Sequence, residues 1–358
     1  MFSKPKYFAA RAICILLFLC SLQVQADSSK KLATIQVGAI YGLTGPMAAM
    51  SEQYQKGAIL AQKYLIDQRI IELDLLFEDT QWQTHSALSA YRKLRSTKSI
   101  EVMHLLGSSP VLAIKPLSEK EQVLLFAAAA HPDILKNSNY IIQHANQADL
   151  DAKILAAAVT KKQPKRVAIV SIMNEWATSY KDFLIEELTA SSEIAIQSEE
   201  HLSTETDFKG ILSRTLAQKP DILVINSFGL AAAELIIQAR KLGFSGPIFA
   251  NTGLSLSSDA MKLLHQSEQK NLYYQTYEQG PKKFIDFYQK HFKHTADPLA
   301  YLAFIDFELI GKIAAEVGPD ASKIITAIKK LEVFESEYGS IKIQKDGAMP
   351  ISTIVKAW

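Results

Sequence analysis

Apolar residues recur along this chain in short unbroken runs, separated by longer stretches with a helical period. Residues 35–40 form such a run, and the loop Tyr41-Gly42-Leu43-Thr44-Gly45-Pro46 follows it. A helical pattern extends from about 48 to 68. Residues 73–77 predict the next strand, ending at Glu78-Asp79, and 85–94 predict a helix. A strand follows at 102–106, then Gly107-Ser108-Ser109-Pro110 opens another helix, and the strand 123–127 ends at Ala130-His131-Pro132. Strands that are apolar almost throughout, spaced by helices, indicate a parallel sheet covered on both faces.

The pattern restarts after Lys165-Arg166. It predicts strands at 167–172, 194–197, 221–226, 247–250 and 272–276, with helices near 180–188, 207–217 and 231–242. Asp207 lies near the start of the second of these helices, and Gly243 is well placed to stop the third. The two halves share a plan but no repeated wording. Residues 281–313 are helical and rich in aromatics, with Phe284, Phe287, Tyr288, Phe292, Tyr301, Phe304 and Phe307 at core spacing. The end, 338–358, reads as a hairpin: Ile341 and Ile343 alternate, Asp346-Gly347 makes the turn, and 351–355 returns.

The first 26 residues differ in character. Lys4, Lys6 and Arg11 precede an apolar run of 11 residues at 12–22, and Val24-Gln25-Ala26 follows. That is the make-up of a cleavable secretory signal peptide, and 11 residues are too few for a membrane anchor, which needs about 20. Cleavage leaves 332 residues from Asp27 onward and turns the formal charge from +2 to −1. Cys14 and Cys20, the two cysteines of the chain, leave with the leader. The mature chain therefore has no disulfide, no thiolate metal site and no cysteine nucleophile. Leu19 stands before Cys20, where a lipid-attachment signal calls for a small residue. Near-neutral charge without a basic block gives no support for binding nucleic acid or an anionic membrane. No later apolar stretch is long enough to span a bilayer, and a chain of this size without staples calls for two domain cores.

Taken together, these segments resemble the branched-chain amino-acid type of periplasmic solute-binding protein, the type I fold used by ABC importers. The resemblance covers nearly all of the mature chain. It is carried by Ile40-Tyr41-Gly42-Leu43-Thr44-Gly45-Pro46-Met47-Ala48, Gly57-Ala58, Glu78-Asp79 with Ala87, Gly107-Ser108-Ser109 and Ala129-Ala130-His131-Pro132. Later carriers are Gln238-Ala239-Arg240-Lys241-Leu242-Gly243 and Tyr338-Gly339-Ser340-Ile341. It implies an α/β fold of two doubly wound parallel-sheet lobes joined by a three-crossing hinge. Lobe 1 would take 32–145 plus 277–335, and lobe 2 would take 146–276 plus 336–358. The hinge would lie near 143–147, 276–280 and 335–339.

The cleft between such lobes, beneath the carboxyl ends of the strands, is where a small molecule binds. Ser108, Ser109 and Pro110 read as a helix start, with serine as cap and proline at the first position. Capping alone accounts for them. Their place in the family pattern adds Gly107, Ser108 and Ser109 as the site of a ligand carboxylate, held by free N–H groups. Ala128, Ala129 and Ala130 end a strand at the same edge, and relatives that bind amino acids carry a threonine hydroxyl where Ala130 stands. His131 precedes a proline and belongs to a turn, with a ligand contact as the alternative.

In the second lobe the resemblance aligns Thr252 with an acid that holds the α-ammonium group. A buried ammonium without an anion is costly. Either Glu175 takes over that role or the ligand lacks the α-amino-acid head, and we adopt the second. Trp176 and Phe228 follow second-lobe strands where the family places aromatics over the ligand, and packing at the lobe edge is the alternative for each. Tyr41, Met50 and Trp82 come from first-lobe loops and suit an apolar wall.

Enzymatic readings find little. The 41–46 loop lacks dinucleotide spacing and a Walker lysine. His291 and His294 lie among Lys290 and Lys293 on a solvated helix face rather than in a metal site. Ser227 has no nucleophile elbow around it. The sequence thus points to a non-enzymatic, monomeric periplasmic protein without cofactor or metal. It would capture an amino-acid-like, amide or carboxylate ligand and deliver it to an inner-membrane ABC permease. The alternative is a sensor or regulatory protein of the same fold that acts by protein–protein contact.

Overall fold

The computed structural model describes residues 31–190 and 193–358. The leader read at 1–26 lies outside them.

The first lobe is built from β1 (Thr34–Tyr41), α1 (Ala48–Asp67), β2 (Glu72–Asp79), α2 (Thr84–Lys98), β3 (Val102–Leu106), α3 (Ser108–Glu121), β4 (Leu124–Ala128) and β5 (Ile141–Gln143). Its sheet is parallel throughout, in the order β2-β1-β3-β4-β5. The second lobe follows with α4 (Ala148–Thr160), β6 (Arg166–Ile172), α5 (Glu175–Thr189), β7 (Ala195–His201), α6 (Lys209–Ala217), β8 (Ile222–Asn226), α7 (Gly229–Lys241) and β9 (Ile248–Ala250). Three short helices, α8 (Thr252–Ser255), α9 (Ser258–Leu263) and α10 (Gln266–Gln269), lead to β10 (Leu272–Tyr277). The chain then returns to the first lobe through α11 (Lys282–Phe292), α12 (Pro298–Val317), α13 (Ala321–Ile328), β11 (Val333–Ser336) and β12 (Gly339–Lys342). The last strand, β13 (Thr353–Ala357), runs antiparallel to β10 and completes the order β13-β10-β9-β8-β6-β7.

The fully buried strands explain the unbroken apolar runs: all five residues of β3 and of β8 are buried, because helices cover both faces of each sheet. One core of the first lobe packs Phe284, Phe304, Phe307 and Ile310 against Leu73 and Phe126, while another packs Tyr91, Leu105 and Val111 on the opposite face. Helix α1 lies close against α12 because Gly57 has no side chain: a Cβ there would stand 2.3 Å from the Ala300 carbonyl oxygen. The aromatic stretch expected at 281–313 is two helices, broken where Lys293 turns left-handed (φ 64°) and Asp297 caps α12.

The expected 338–358 hairpin does not form. β12 pairs with β11 across the turn at Glu337 and Tyr338, and the returning strand β13 joins the second-lobe sheet instead. Asp346-Gly347 does turn, with Gly347 at φ 99°. The turned segment, however, is bonded to the end of β5: Gln143 N–H donates to Gly347 O (2.9 Å) and Met349 N–H to Gln143 O (2.7 Å). Ile341, Ile343 and Met349 are buried in the first-lobe core. Residues 339–349 therefore pack with the first lobe, against their expected placement in the second, and the third crossing lies at 350–352.

All three crossings meet one buried carboxylate. Asp151, on α4, accepts from Asn146 Nδ2 (2.8 Å) beside the first crossing, from Gln275 Nε2 (3.3 Å) on β10 and from Thr353 Oγ1 (2.9 Å) on β13. Asn146 Oδ1 also accepts from the Ile351 N–H (3.0 Å) in the third crossing.

Candidate ligand-binding cleft

In each sheet the strand order reverses, between β1 and β3 in the first and between β6 and β8 in the second. Loops leaving the two sides of such a reversal diverge and open a crevice at the carboxyl ends of the strands. The two crevices face one another across a cleft of ≈ 580 Å³. Met47 and Met50 after β1, Trp82 after β2, Gly107, Ser108 and Ser109 after β3, and Ala128, Ala129 and Ala130 after β4 line one wall. Met173, Asn174 and Trp176 after β6, Thr204 and Glu205 after β7, Phe228 after β8 and Thr252 after β9 line the other. An apolar cluster runs under both walls, joining Tyr41, Met50, Tyr54 and Leu106 to Leu256 and Phe228.

Trp82 is held by its backbone. Gln81 and Trp82 are both left-handed, at φ 51° and 61°, a region non-glycine residues rarely occupy. Asp79 holds the bend, accepting from the Gln81 N–H (2.9 Å), the Thr44 N–H (3.1 Å) and the Thr44 hydroxyl. The indole then lies over two glycines. A Cβ on Gly42 would stand 2.9 Å from the Trp82 backbone nitrogen and 3.1 Å from the ring, and one on Gly107 would stand 3.2 Å from the ring. This accounts for a large apolar side chain in a loop: it forms part of the cleft wall.

On the facing wall, Trp176 meets Phe228 edge-on, with ring centroids 5.1 Å apart and planes at 68°. Trp176 sits in the first turn of α5, whose cap is Asn174, with Oδ1 accepting from the Ala177 N–H (2.8 Å). Thr252 is buried in the first turn of α8, capped in the same way by Asn251 Oδ1 on the Gly253 N–H (3.1 Å).

Helix α3 starts one residue earlier than its expected serine cap. Gly107 is the cap residue, at φ 92°, and Ser108 opens the helix, so Pro110 is third rather than first. The Ser108 hydroxyl does not cap. It accepts from the His131 N–H (3.2 Å) and fastens the end of β4. The amide groups that open α3 still point out of its N-terminus, as in any helix.

Three expected residues stand apart from the cleft. Tyr41 is fully buried in β1, and its hydroxyl meets His104 Nδ1 (3.0 Å), so strand alternation turns it into the core. His131 caps a 3₁₀ turn, its Nδ1 accepting from the Asp133 N–H (3.2 Å). Glu175 is exposed and accepts from the Ser109 hydroxyl across the rim. His131 and Glu175 line a more open groove outside the cleft, of ≈ 640 Å³. The other expected positions, Met50, Trp82, Gly107, Ser108, Ser109, Ala128, Ala129, Ala130, Trp176, Phe228 and Thr252, come together in the cleft.

Sequence reasoning missed Tyr54, Asn174, Thr204, Glu205, Glu234 and Tyr277, which also line it. Asn174 was open to detection, since an asparagine three residues before an alanine at a strand end suits a helix cap. The others reach the cleft through tertiary packing and carry no local signature.

Two parallel-sheet lobes, three crossings and a cleft walled from both sides define a two-lobed α/β ligand-binding protein. The profile of the periplasmic binding protein family matches residues 34–355, and the chain belongs to that family. Among curated proteins it is similar to the Leu/Ile/Val-binding protein BraC3 of Rhizobium johnstonii, 23% identical over 232 residues; the match spans 62% of this chain and 62% of that protein's length. Among solved structures it shares its fold with the leucine-binding protein LivK of Thermotoga maritima (TM-score 0.81, 20% identity, 90% of this chain and 95% of that one). It also shares it with a solute-binding protein of an ABC transporter from Rhodopseudomonas palustris, solved with 3,4-dihydroxybenzoic acid (TM-score 0.77, 18% identity, 90% and 93%).

Proposed function

We propose that this chain is a periplasmic solute-binding protein. It captures a small organic ligand between its lobes and hands it to an ABC permease in the inner membrane. The observation that carries the reading is a cleft lined from the strand ends of both lobes. A ligand there touches both walls only when they are close, so binding shifts the population toward the closed form. In the first lobe, the opening turn of α3 at Ser108 and Ser109 offers backbone N–H groups and the positive end of a helix dipole to an acceptor on the ligand. Trp82, Trp176 and Phe228 enclose its apolar body.

Ala130 carries no hydroxyl and Thr252 no carboxylate, so the head-group site that the family resemblance implies is weakened. Each lost hydrogen bond to a charged group costs about 1.5–3 kcal/mol. Leucine, isoleucine and valine should therefore bind weakly, and calorimetry with leucine checks this: submicromolar binding would contradict it. The function itself is tested by a thermal-shift screen of the mature protein against amino acids, amides, and aliphatic and aromatic acids. A true ligand at a hundredfold excess over its Kd stabilises by about 2.7 kcal/mol. Failure of every class would contradict the solute-binding reading.

A further inference from the structure

The charge of the cleft is one-sided. Glu205 and Glu234 are the charged side chains among its lining residues, and no lysine, arginine or histidine is among them. Glu234 accepts from Gln238 Nε2 (3.3 Å). Glu205 is worse placed: its Oε2 is shut off from solvent and accepts no hydrogen bond. The nearby imidazole of His201 does not compensate. His201 Nδ1 lies 2.9 Å from the Leu202 carbonyl oxygen, which only accepts, so Nδ1 carries the ring proton. Nε2 lies 3.0 Å from the Ser227 hydroxyl and accepts from it. Both nitrogens are then satisfied by a neutral ring, and burial holds the imidazole below its ordinary pKa. A carboxylate oxygen shut off from water without a donor is unfavourable, and although Glu205 as a whole is half-buried, a donor from the cleft would relieve that oxygen.

We propose that Glu205 is the recognition residue for a cationic group, and that the solute is an organic ammonium compound with an apolar or aromatic body. This deepens the solute-binding reading and rests on it. The ammonium N–H groups donate to Glu205, and Glu234 adds negative charge to the same wall. The faces of Trp176 and Phe228 favour a cation beside them. The role falls to neither Thr252, which is uncharged, nor Glu175, which is turned to Ser109 at the rim.

The test uses compounds matched in body and differing in charge: pentylamine, 5-aminopentanoate and pentanoate, with 2-phenylethylamine and 3-phenylpropionate as an aromatic pair. Thermal shifts are measured on the mature parent, Glu205→Gln, Glu234→Gln and Glu175→Gln. The expected result is stabilisation by ammonium-bearing compounds in the parent. Glu205→Gln should weaken it by roughly tenfold to a hundredfold in apparent affinity, Glu234→Gln less, and Glu175→Gln little. Without ligand, Glu205→Gln should melt no lower than the parent, because it removes a carboxylate that lacks a donor. A lower melting temperature for that variant would count against the proposal. Stabilisation by the carboxylates alone, or equal stabilisation in Glu205→Gln, would overturn the proposal and leave solute binding standing. Stabilisation by none of the five would count against both.

Discussion

Each lobe buries a carboxylate, and the two are handled in opposite ways. Asp306, on α12 in the first lobe, lies between two histidines: its Oδ2 meets His104 Nε2 at 3.0 Å and its Oδ1 meets His144 Nδ1 at 2.7 Å. Burial pushes this carboxyl up, but His144 and His104 outweigh burial and hold it below the usual range. Asp151, in the second lobe, has donors that are all neutral. Burial dominates there and pushes it up to about 6, against the pull of Asn146 and Thr353. The lesson is that burial sets the scale and the charge of the partners sets the sign. The first lobe holds a carboxylate between two imidazoles inside its core. The second holds, at the meeting point of three crossings, a carboxyl whose burial favours the protonated form up to about pH 6.

The largest expected effect breaks the first half of this comparison. Asp306→Ala leaves His104 and His144 buried without their acceptor and should destabilise the protein by about 3–5 kcal/mol. Urea unfolding of the variant measures it, and a loss below about 1 kcal/mol would show that the histidines do not depend on this carboxylate.

The next effect sharpens the second half through pH. A carboxyl whose folded pKa is raised costs stability above that pKa and regains it on acidification toward the unfolded value. Asp151, raised from 3.8 to about 6, should cost about 3 kcal/mol at pH 7, at ~1.4 kcal/mol per pH unit. Asp297, the cap of α12, is likewise pushed up to about 6 by burial. Asp306 works the other way, since its contribution is present above the unfolded value and is lost only as pH falls through its lowered pKa. Melting temperature should therefore rise from pH 7 to pH 5 and fall at more acid pH. Asp151→Asn and Asp297→Asn should each flatten the rise, and an unchanged rise in both variants would contradict the assignment.

The smallest effect lies at the rim. Ser109 and Glu175 link the lobes through an exposed contact, worth about 0.2–1 kcal/mol. Glu175→Gln should barely change the melting temperature, and a drop of several degrees would promote this contact from a rim link to a structural one.

The strands were legible in the sequence because burial on both faces writes them as unbroken apolar runs, as at β3 and β8. Helix α4 was not: ADLDAKILAAAVT mixes acids with small residues and shows no clean polar stripe. The last strand was legible as a strand but not by partner. The turn at Asp346-Gly347 marks a returning strand, whereas pairing with β10 instead of β12 is a long-range choice. In the cleft, Met50 and Trp82 were read from loops that follow apolar runs, whereas Gly107, Ser108, Ser109, Trp176, Phe228 and Thr252 came from their places in the family pattern. Tyr41 was misplaced by one step, as the last residue of β1 still follows the inward alternation. Glu205 lies in a polar loop with a second acid, Asp207, and the lack of a donor at its Oε2 exists only in three dimensions.

The central claim is that the cleft between the lobes is where a ligand binds. It is tested most directly by ligand-induced stabilisation of the parent, Ser109→Ala and Ser109→Trp, using the compound that raises the melting temperature most in the screen. Ser109→Ala keeps the backbone N–H groups at the start of α3 and should respond nearly as the parent does. Ser109→Trp fills the cleft from its first-lobe wall and should lose the response while melting near the parent temperature without ligand. Equal stabilisation of all three proteins would contradict the account and place the binding site elsewhere.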